Sequence, residues 1–264
     1  MKLKNFPIGI FDSGIGGTSI WQEIKTLLPH EDTIYLSDSK NAPYGEKSKQ
    51  KIIDLSIKNT EFLLQQNCKL IIVACNTATT NAIKVLREMY DIPFIGIEPA
   101  IKPAALKTKT NKIGILATKG TLNSELFEKT ANTIAKEITT KETIGKGLVE
   151  LIESGKINSI EMKNLLSSYI EPMLKEDVDC LVLGCTHYPY LIPQIREIVG
   201  NKIQIIDSGE AVAKQTKTIL EMHQLSNNKI EKGTHQFYIN QNKKVLENII
   251  SLKNDTIKIE EIDF

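Results

Sequence analysis

The chain has 264 residues, 41% of them hydrophobic and 25% charged, and its 33 basic and 32 acidic side chains leave a net charge of +1. This is the make-up of a soluble globular protein with apolar material for one large domain or two modest ones, without the basic excess or stripe of a nucleic-acid-binding domain. No run approaches the ~18 apolar residues of a membrane span, and the apolar stretch after Met1 ends at once in Asp12-Ser13-Gly14, unlike a secretory signal. The expected location is therefore the cytoplasm, where Cys68, Cys75, Cys180 and Cys185 are reduced thiols.

Short apolar runs alternate with longer amphipathic ones along the chain. A strand over 8–12 (IGIFD) ends in Asp12 and runs through DSGIGGTS into a helix over 18–28. A strand over 33–37 leads to the loop DSKNAPYGEKS (38–48), in which Pro43-Tyr44-Gly45 forms a turn whose tyrosine suits a lid over a small ligand. After a helix over 47–67, the strand 70–75 ends in Cys75 and is followed by Asn76-Thr77 and a helix over 78–89. A strand over 94–98 precedes KTKTNK (107–112), the most linker-like stretch, and the strand 113–117 runs into Thr118 and a helix over 121–137. Helices over 147–155 and 158–175 lead to the strand 179–184, which ends at Cys185-Thr186-His187 before a helix over 190–199. A strand over 203–207 and a helix over 209–223 follow, and the last forty residues show two weaker strands near 236–239 and 256–260. Such alternation predicts parallel sheets covered by helices.

The strand ends repeat. IGIFDSGIGGT (8–18) pairs with IGILATKGT (113–121), their first glycines 105 residues apart; Cys75 pairs with Cys185 at 110, and Glu98 with Asp207 at 109. Three pairs at nearly one offset suggest two similar α/β halves. Ligands of open parallel sheets bind outside the carboxyl ends of the strands, where Asp12, Cys75, Thr118 and Cys185 all fall. If the halves face each other, the two cysteines approach one cleft from opposite sides.

The residue types at those ends suit proton transfer. Cys75 and Cys185 each precede an expected helix start, where free amide N–H groups favour an anion and lower a thiol's pKa. Asn76, Thr77 and Thr186 add hydrogen-bond donors without charge, Asp12 can accept a proton or orient an ammonium group, and His187 can reach the thiol or a substrate. Cys68 and Cys180, at strand beginnings, read as core residues. The run GIGG lacks the third glycine of a dinucleotide fingerprint, Ser19 standing in its place, and more simply lets the backbone turn tightly beside a ligand. Two other readings stay open on these residues alone. Cys75, Cys185, His187 and Asp12 could ligate zinc, although their spacing matches no zinc module, and a two-lobed amino-acid-binding protein would also have such a cleft.

Taken together, GIFDSGIGG, DSKNAPYGEKS, IIVACNTATTNAI, IGIEPAIKPA, IGILATKGTLNS, LVLGCTHYPYLIPQI and IIDSGEAVA resemble, in order and spacing, the glutamate racemase family of the cofactor-independent aspartate/glutamate racemase superfamily. The resemblance covers residues 8 to about 216 and implies two flavodoxin-like parallel-sheet domains related by pseudo-symmetry, 1–97 plus 210–264 and 98–209, with the active site between them. It implies that Cys75 and Cys185 are the catalytic acid/bases, supported by Asp12 and His187. It further implies a substrate pocket of Asp12, Ser13, Tyr44, Gly45, Asn76, Thr77, Thr186 and His187, with Thr118 and Thr121 nearby. A family glutamate falls on Glu153 in LVELIESG, although Glu150 replaces the proline expected there and the usual preceding Cys-Pro pair is missing. Implied too are a small-molecule substrate (L- or D-glutamate) used for bacterial peptidoglycan, no cofactor, no metal, no nucleic-acid or membrane partner, and a homodimer. Side-chain length of the substrate is not legible, so aspartate or another amino acid is an alternative. The chemistry fits the repeat: inverting a Cα centre without a cofactor needs a base on one face and an acid on the other.

Overall fold

The computed structural model describes residues 3–134, 137–250 and 256–264. The chain opens with β1 (Ile8–Asp12), α1 (Thr18–Leu27), β2 (Thr33–Ser37), α2 (Lys49–Gln65), β3 (Leu70–Val73), α3 (Asn76–Met89) and β4 (Phe94–Gly96). It crosses through α4 (Ile101–Lys107) to β5 (Lys112–Ala117), α5 (Lys119–Leu122), α6 (Glu125–Asn132) and β6 (Thr139–Ile144). Next come α7 (Leu148–Glu153), α8 (Ile160–Leu174), β7 (Cys180–Gly184), α9 (Ile192–Val199) and β8 (Gln204–Ile206). It then returns through α10 (Gly209–Met222) to β9 (His235–Ile239), α11 (Lys243–Ile250) and β10 (Ile257–Glu261).

Two all-parallel sheets result, ordered β10-β9-β2-β1-β3-β4 and β6-β5-β7-β8. The series β2-β1-β3-β4 recurs as β6-β5-β7-β8, so the offset of about 105–110 residues between strand ends is a repeated topology of the flavodoxin-like kind. Successive strand residues face opposite ways. In β1, Ile8 and Ile10 join a large core that runs from Trp21 of the first domain to Leu166 and Tyr188 of the second. Phe11 turns to the other face, against Leu55 and Leu63 of α2 and Ile83 of α3. A third cluster packs Ile113, Ile115 and Val182 against α4 and α6. Among the described residues no helix is long and apolar enough to cross a membrane.

Four sequence expectations differ from the structure. The helix over 121–137 is two helices: Asn123 ends α5, and Ser124 starts α6 by accepting the Phe127 N–H; positions 135 and 136 lie outside the described residues. KTKTNK is no linker, since Asp179 accepts hydrogen bonds from Thr108 Oγ1 and the Lys109 and Thr110 amides, pinning the turn between α4 and β5. β6 (TTKETI) and the short helices α4 and α11 were unforeseen. Cys185 does not cap an α-helix, because Tyr188–Leu191 is a 3-10 turn and α9 starts only at Ile192, with prolines at 189 and 193.

Candidate active site

The carboxyl ends of β1, β3, β5 and β7 converge between the domains on a cavity of only about 10 Å³. The first domain lines it with Ser13, Tyr44, Gly45, Cys75, Asn76 and Thr77, and the second with Thr118, Cys185, Thr186 and His187. Pro43 of the expected turn and Val149, which the sequence did not single out, complete the lining, and neither lysine nor arginine takes part. Asp12, Thr121 and Glu153 stand directly behind this layer, each contacting a lining residue. Both thiols thus face one space.

Their surroundings differ. Cys75 is the N-cap of α3: its Sγ accepts the Ala78 N–H at 3.4 Å and donates to Ser13 Oγ at 3.6 Å. Ser13 and Thr186 both donate to Asp12 Oδ1 at 3.5 Å, and Gly17 N–H donates to Asp12 Oδ2 at 2.7 Å. Burial raises Asp12 to about 6 despite the nearby His187 and the Gly17 amide. The expectation that a helix start would lower the Cys75 pKa is overturned, because burial, reinforced by the charge of Asp12, outweighs the Ala78 amide and holds it well above its ordinary value. Cys75 is a thiol here.

Cys185 has an imidazole instead. His187 Nδ1 lies 3.8 Å from Cys185 Sγ, and His187 Nε2 lies 2.6 Å from Glu153 Oε1. Burial alone would hold His187 neutral, but hydrogen bonds and charge from Cys185 and Glu153 raise it well above its ordinary value. Glu153 in turn accepts the Ile15 N–H at 2.7 Å and the Ser39 hydroxyl at 2.8 Å, both from the first domain. The GIGG loop owes its glycines to this arrangement. A Cβ at Gly14 would strike the Glu153 carboxylate, and one at Gly16 would strike the His187 ring. The glycines therefore admit protein side chains of the other domain, where the sequence had suggested room beside a ligand.

At the opposite wall, the hydroxyls of Thr77, Thr118 and Thr121 form a triangle of 2.7, 3.3 and 3.0 Å. Asn76 Oδ1 is buried with no hydrogen-bond partner among the described residues. Tyr44 points its hydroxyl away from solvent: it donates to Asp38 Oδ2 at 2.6 Å and accepts from Asn59 Nδ2 at 3.0 Å. Asp38 Oδ1 accepts from Asn41 and from Asn240, at 2.8 and 2.6 Å. Asp38 was missed, although it follows β2 directly, at the kind of strand end that drew attention to Asp12. Ser39, Asn59 and Asn240 carry no such signal. Among the described residues no group of three or more His, Cys, Asp and Glu side chains is disposed to hold a metal ion.

Known proteins share this frame. The sequence profile of the Asp/Glu/Hydantoin racemase family matches residues 9–216. The chain is 43% identical over 232 residues to the glutamate racemase of Herpetosiphon aurantiacus, covering 88% of this chain and 91% of that one. Its structure resembles glutamate racemase isoform RacE1 of Bacillus anthracis with a TM-score of 0.86 and 31% identity, covering 99% of this chain and 98% of that one. It also resembles the Francisella tularensis glutamate racemase solved with D-glutamate, with a TM-score of 0.85 and 28% identity, each chain 98% covered. The chain belongs to the Asp/Glu/Hydantoin racemase family. It is an isomerase, an amino-acid racemase.

Proposed function

We propose that this racemase interconverts L- and D-glutamate without a cofactor, with Cys75 and Cys185 as its two acid/bases, and that it supplies D-glutamate for peptidoglycan in the cytoplasm. The observation that carries the reading is the pair of thiols on one cavity whose lining holds neither lysine nor arginine, each at the end of an equivalent strand in the two domains. The names of the relatives support glutamate as the substrate. The assignment of strands to the two sheets supports domains of 1–97 plus 210–264 and 98–209.

The electrostatics suggest a starting state. The imidazolium of His187, held by Glu153, stands 3.8 Å from Cys185 Sγ, while Cys75 keeps its proton. For L-glutamate, the Cys185 thiolate takes the Cα proton and the Cys75 thiol delivers its own to the opposite face. The Cys75 thiolate that remains begins the reverse reaction. Substrate carboxylates find neutral donors, namely the hydroxyls of Ser13, Thr77, Thr118 and Thr186 and amides at the start of α3. The ammonium group finds Asp12 and the free Asn76 Oδ1. Burial is the main cause that keeps Cys75 protonated, but a cation brought beside Asp12 offsets the part due to that charge, which eases the turn of Cys75 as base.

The test is circular dichroism of L-glutamate with the purified protein in D2O and no added cofactor. The ellipticity should decay to zero, and both enantiomers should carry deuterium at Cα. A signal that stays constant with glutamate but decays with aspartate would move the reading to the shorter substrate. A signal constant with both would end it.

A further inference from the structure

The cavity of about 10 Å³ holds one water at most, so glutamate cannot enter the closed form and the cleft must part to admit it. What keeps it shut on the side of α3 is a small set of contacts across the domains. Asn81, one turn beyond Thr77 on α3, donates from Nδ2 to Thr77 O at 2.9 Å and to Gly120 O of α5 at 3.0 Å. Gly120 is pressed against the lid turn, since a Cβ there would lie 3.1 Å from Gly45 Cα and 2.8 Å from Thr77 Cγ2. Gly45 is pressed in the same way, its absent Cβ falling 2.8 Å from Thr118 Cβ. Gly120 thus lets its backbone approach the Gly45 backbone of the first domain, with the Thr77 and Thr118 side chains, themselves hydrogen-bonded at the cavity wall, packed against the two glycines.

We propose that Asn81 and Gly120 are positioning residues that latch the cleft shut over the bound substrate. Among the described residues Asn81 supplies the one side-chain donor that ties α3 to the α5 backbone, and Gly120 supplies the flat surface on which Gly45 closes. One amide group joins a carbonyl of its own helix to a carbonyl of the opposite domain. Asn81 therefore keeps one partner when the domains part and regains the second only on closure. The hydrogen bond to Gly120 O stabilises the closed form selectively, and closure keeps water from a substrate carbanion. The proposal rests on the cleft being the substrate site.

The test reads cleft opening through the four cysteines, without turnover. Cys75 and Cys185 line the cavity, while Cys68 and Cys180 lie elsewhere, one in each domain beside a surface pocket, and serve as controls for changes away from the cleft. Alkylation of the substrate-free protein by iodoacetamide is followed at each cysteine by mass spectrometry, with kcat for glutamate measured in parallel. Asn81→Ala should speed alkylation of Cys75 and Cys185 about fivefold, as loss of one net hydrogen bond implies, with Cys68 and Cys180 unchanged, and lower kcat by loosening the closed complex. Asn81→Asp keeps the side chain's shape but turns acceptors toward two carbonyl oxygens, so it should do at least as much; a packing role would leave it near wild type. Gly120→Ala should also lower kcat, because the methyl keeps Gly45 from seating. Rates at Cys75 or Cys185 equal to wild type in Asn81→Ala and Asn81→Asp, or an equal rise at Cys68 and Cys180, overturn the latch. Wild-type protein that leaves glutamate unracemised overturns the function and leaves the alkylation result standing.

Discussion

The His187 ring stands between Glu153 Oε1, 2.6 Å from Nε2, and Cys185 Sγ, 3.8 Å from Nδ1. One imidazole thus joins a carboxylate of α7 to a thiol at the end of β7, whereas at Cys75 the link from thiol to carboxylate runs through the uncharged Ser13 hydroxyl to Asp12. The internal repeat is therefore symmetric in backbone and asymmetric in chemistry.

Removing the charge of Glu153 while keeping its shape should show this asymmetry. His187 is held protonated against burial by Cys185 and Glu153, so Glu153→Gln lowers its pKa and the imidazolium is lost at lower pH. The alkaline limb of the kcat/KM profile should move down by about one unit. Full pH profiles of both proteins in the L-to-D direction check it. An unmoved limb would mean that Glu153 only ties Ile15 and Ser39 to the second domain.

The two thiols should be separable by isotope effect. An equilibrium constant of one fixes the ratio of kcat/KM in the two directions, but not the Cα-deuterium effects. Serine is a far weaker base than cysteine, so Cys75→Ser should raise the effect for D-glutamate and shrink it for L-glutamate, and Cys185→Ser should do the reverse. Shifts of the same sign in both variants would contradict the two-base assignment.

Away from the site, Lys69 and Glu31 form a buried ion pair at 2.5 Å. Lys69 Nζ also donates to Lys4 O, and Glu31 Oε1 accepts the Asn227 N–H, so the pair fastens four distant segments. Lys69→Met should cost about 3–5 kcal/mol in denaturant unfolding, because a buried carboxylate loses its cation, and adding Glu31→Leu should restore much of that loss.

His235 supplies a pH dependence of stability. Burial, aided by Lys25, lowers it to about 4, and its Nδ1 shares the Thr33 hydroxyl that accepts from Trp21 Nε1. A depressed basic group leaves the folded state with fewer protons than the unfolded one between pH 4 and 6.5. Its contribution is therefore complete above pH 6.5 and is lost as pH falls toward 4. Asp12, raised to about 6 by burial, works in the opposite sense over a similar window. His235→Gln should remove the first contribution alone, so between pH 6.5 and 4 the variant should become more stable relative to wild type by about 2–3 kcal/mol. Chemical denaturation of both proteins at the two ends of that range measures it.

Much of this was legible because strands buried on both faces are nearly continuous apolar runs: β1, β3, β5 and β7 stand out, and the polar residues after them mark the cleft. β6 did not stand out for a physical reason. Its counterpart β2 is covered by β9 and fully buried, whereas β6 is an edge strand and its residues TTKETI are at most partly buried. The asymmetry around the cysteines was equally hidden. Two similar motifs predicted two helix-capped thiols, but Pro189 helps turn the second into a 3-10 segment and gives His187 the place of the amides. Asp38 was hidden because its partner Asn240 lies 202 residues away.

That last bond, with β9 lying beside β2, sets an order on the making of the protein. Everything in the β6-β5-β7-β8 sheet has left the ribosome once about 206 residues are out. The other sheet must wait: β2 is an open edge until residues 235–239 arrive beside it, and the Asp38 carboxylate that anchors Tyr44 lacks one of its donors until Asn240 does. A nascent chain that has not reached residue 235 therefore holds both cysteines and an incompletely anchored Tyr44, with a bare strand edge open to wrong partners. The site's residues precede, in order of synthesis, the strand that finishes the sheet beneath them.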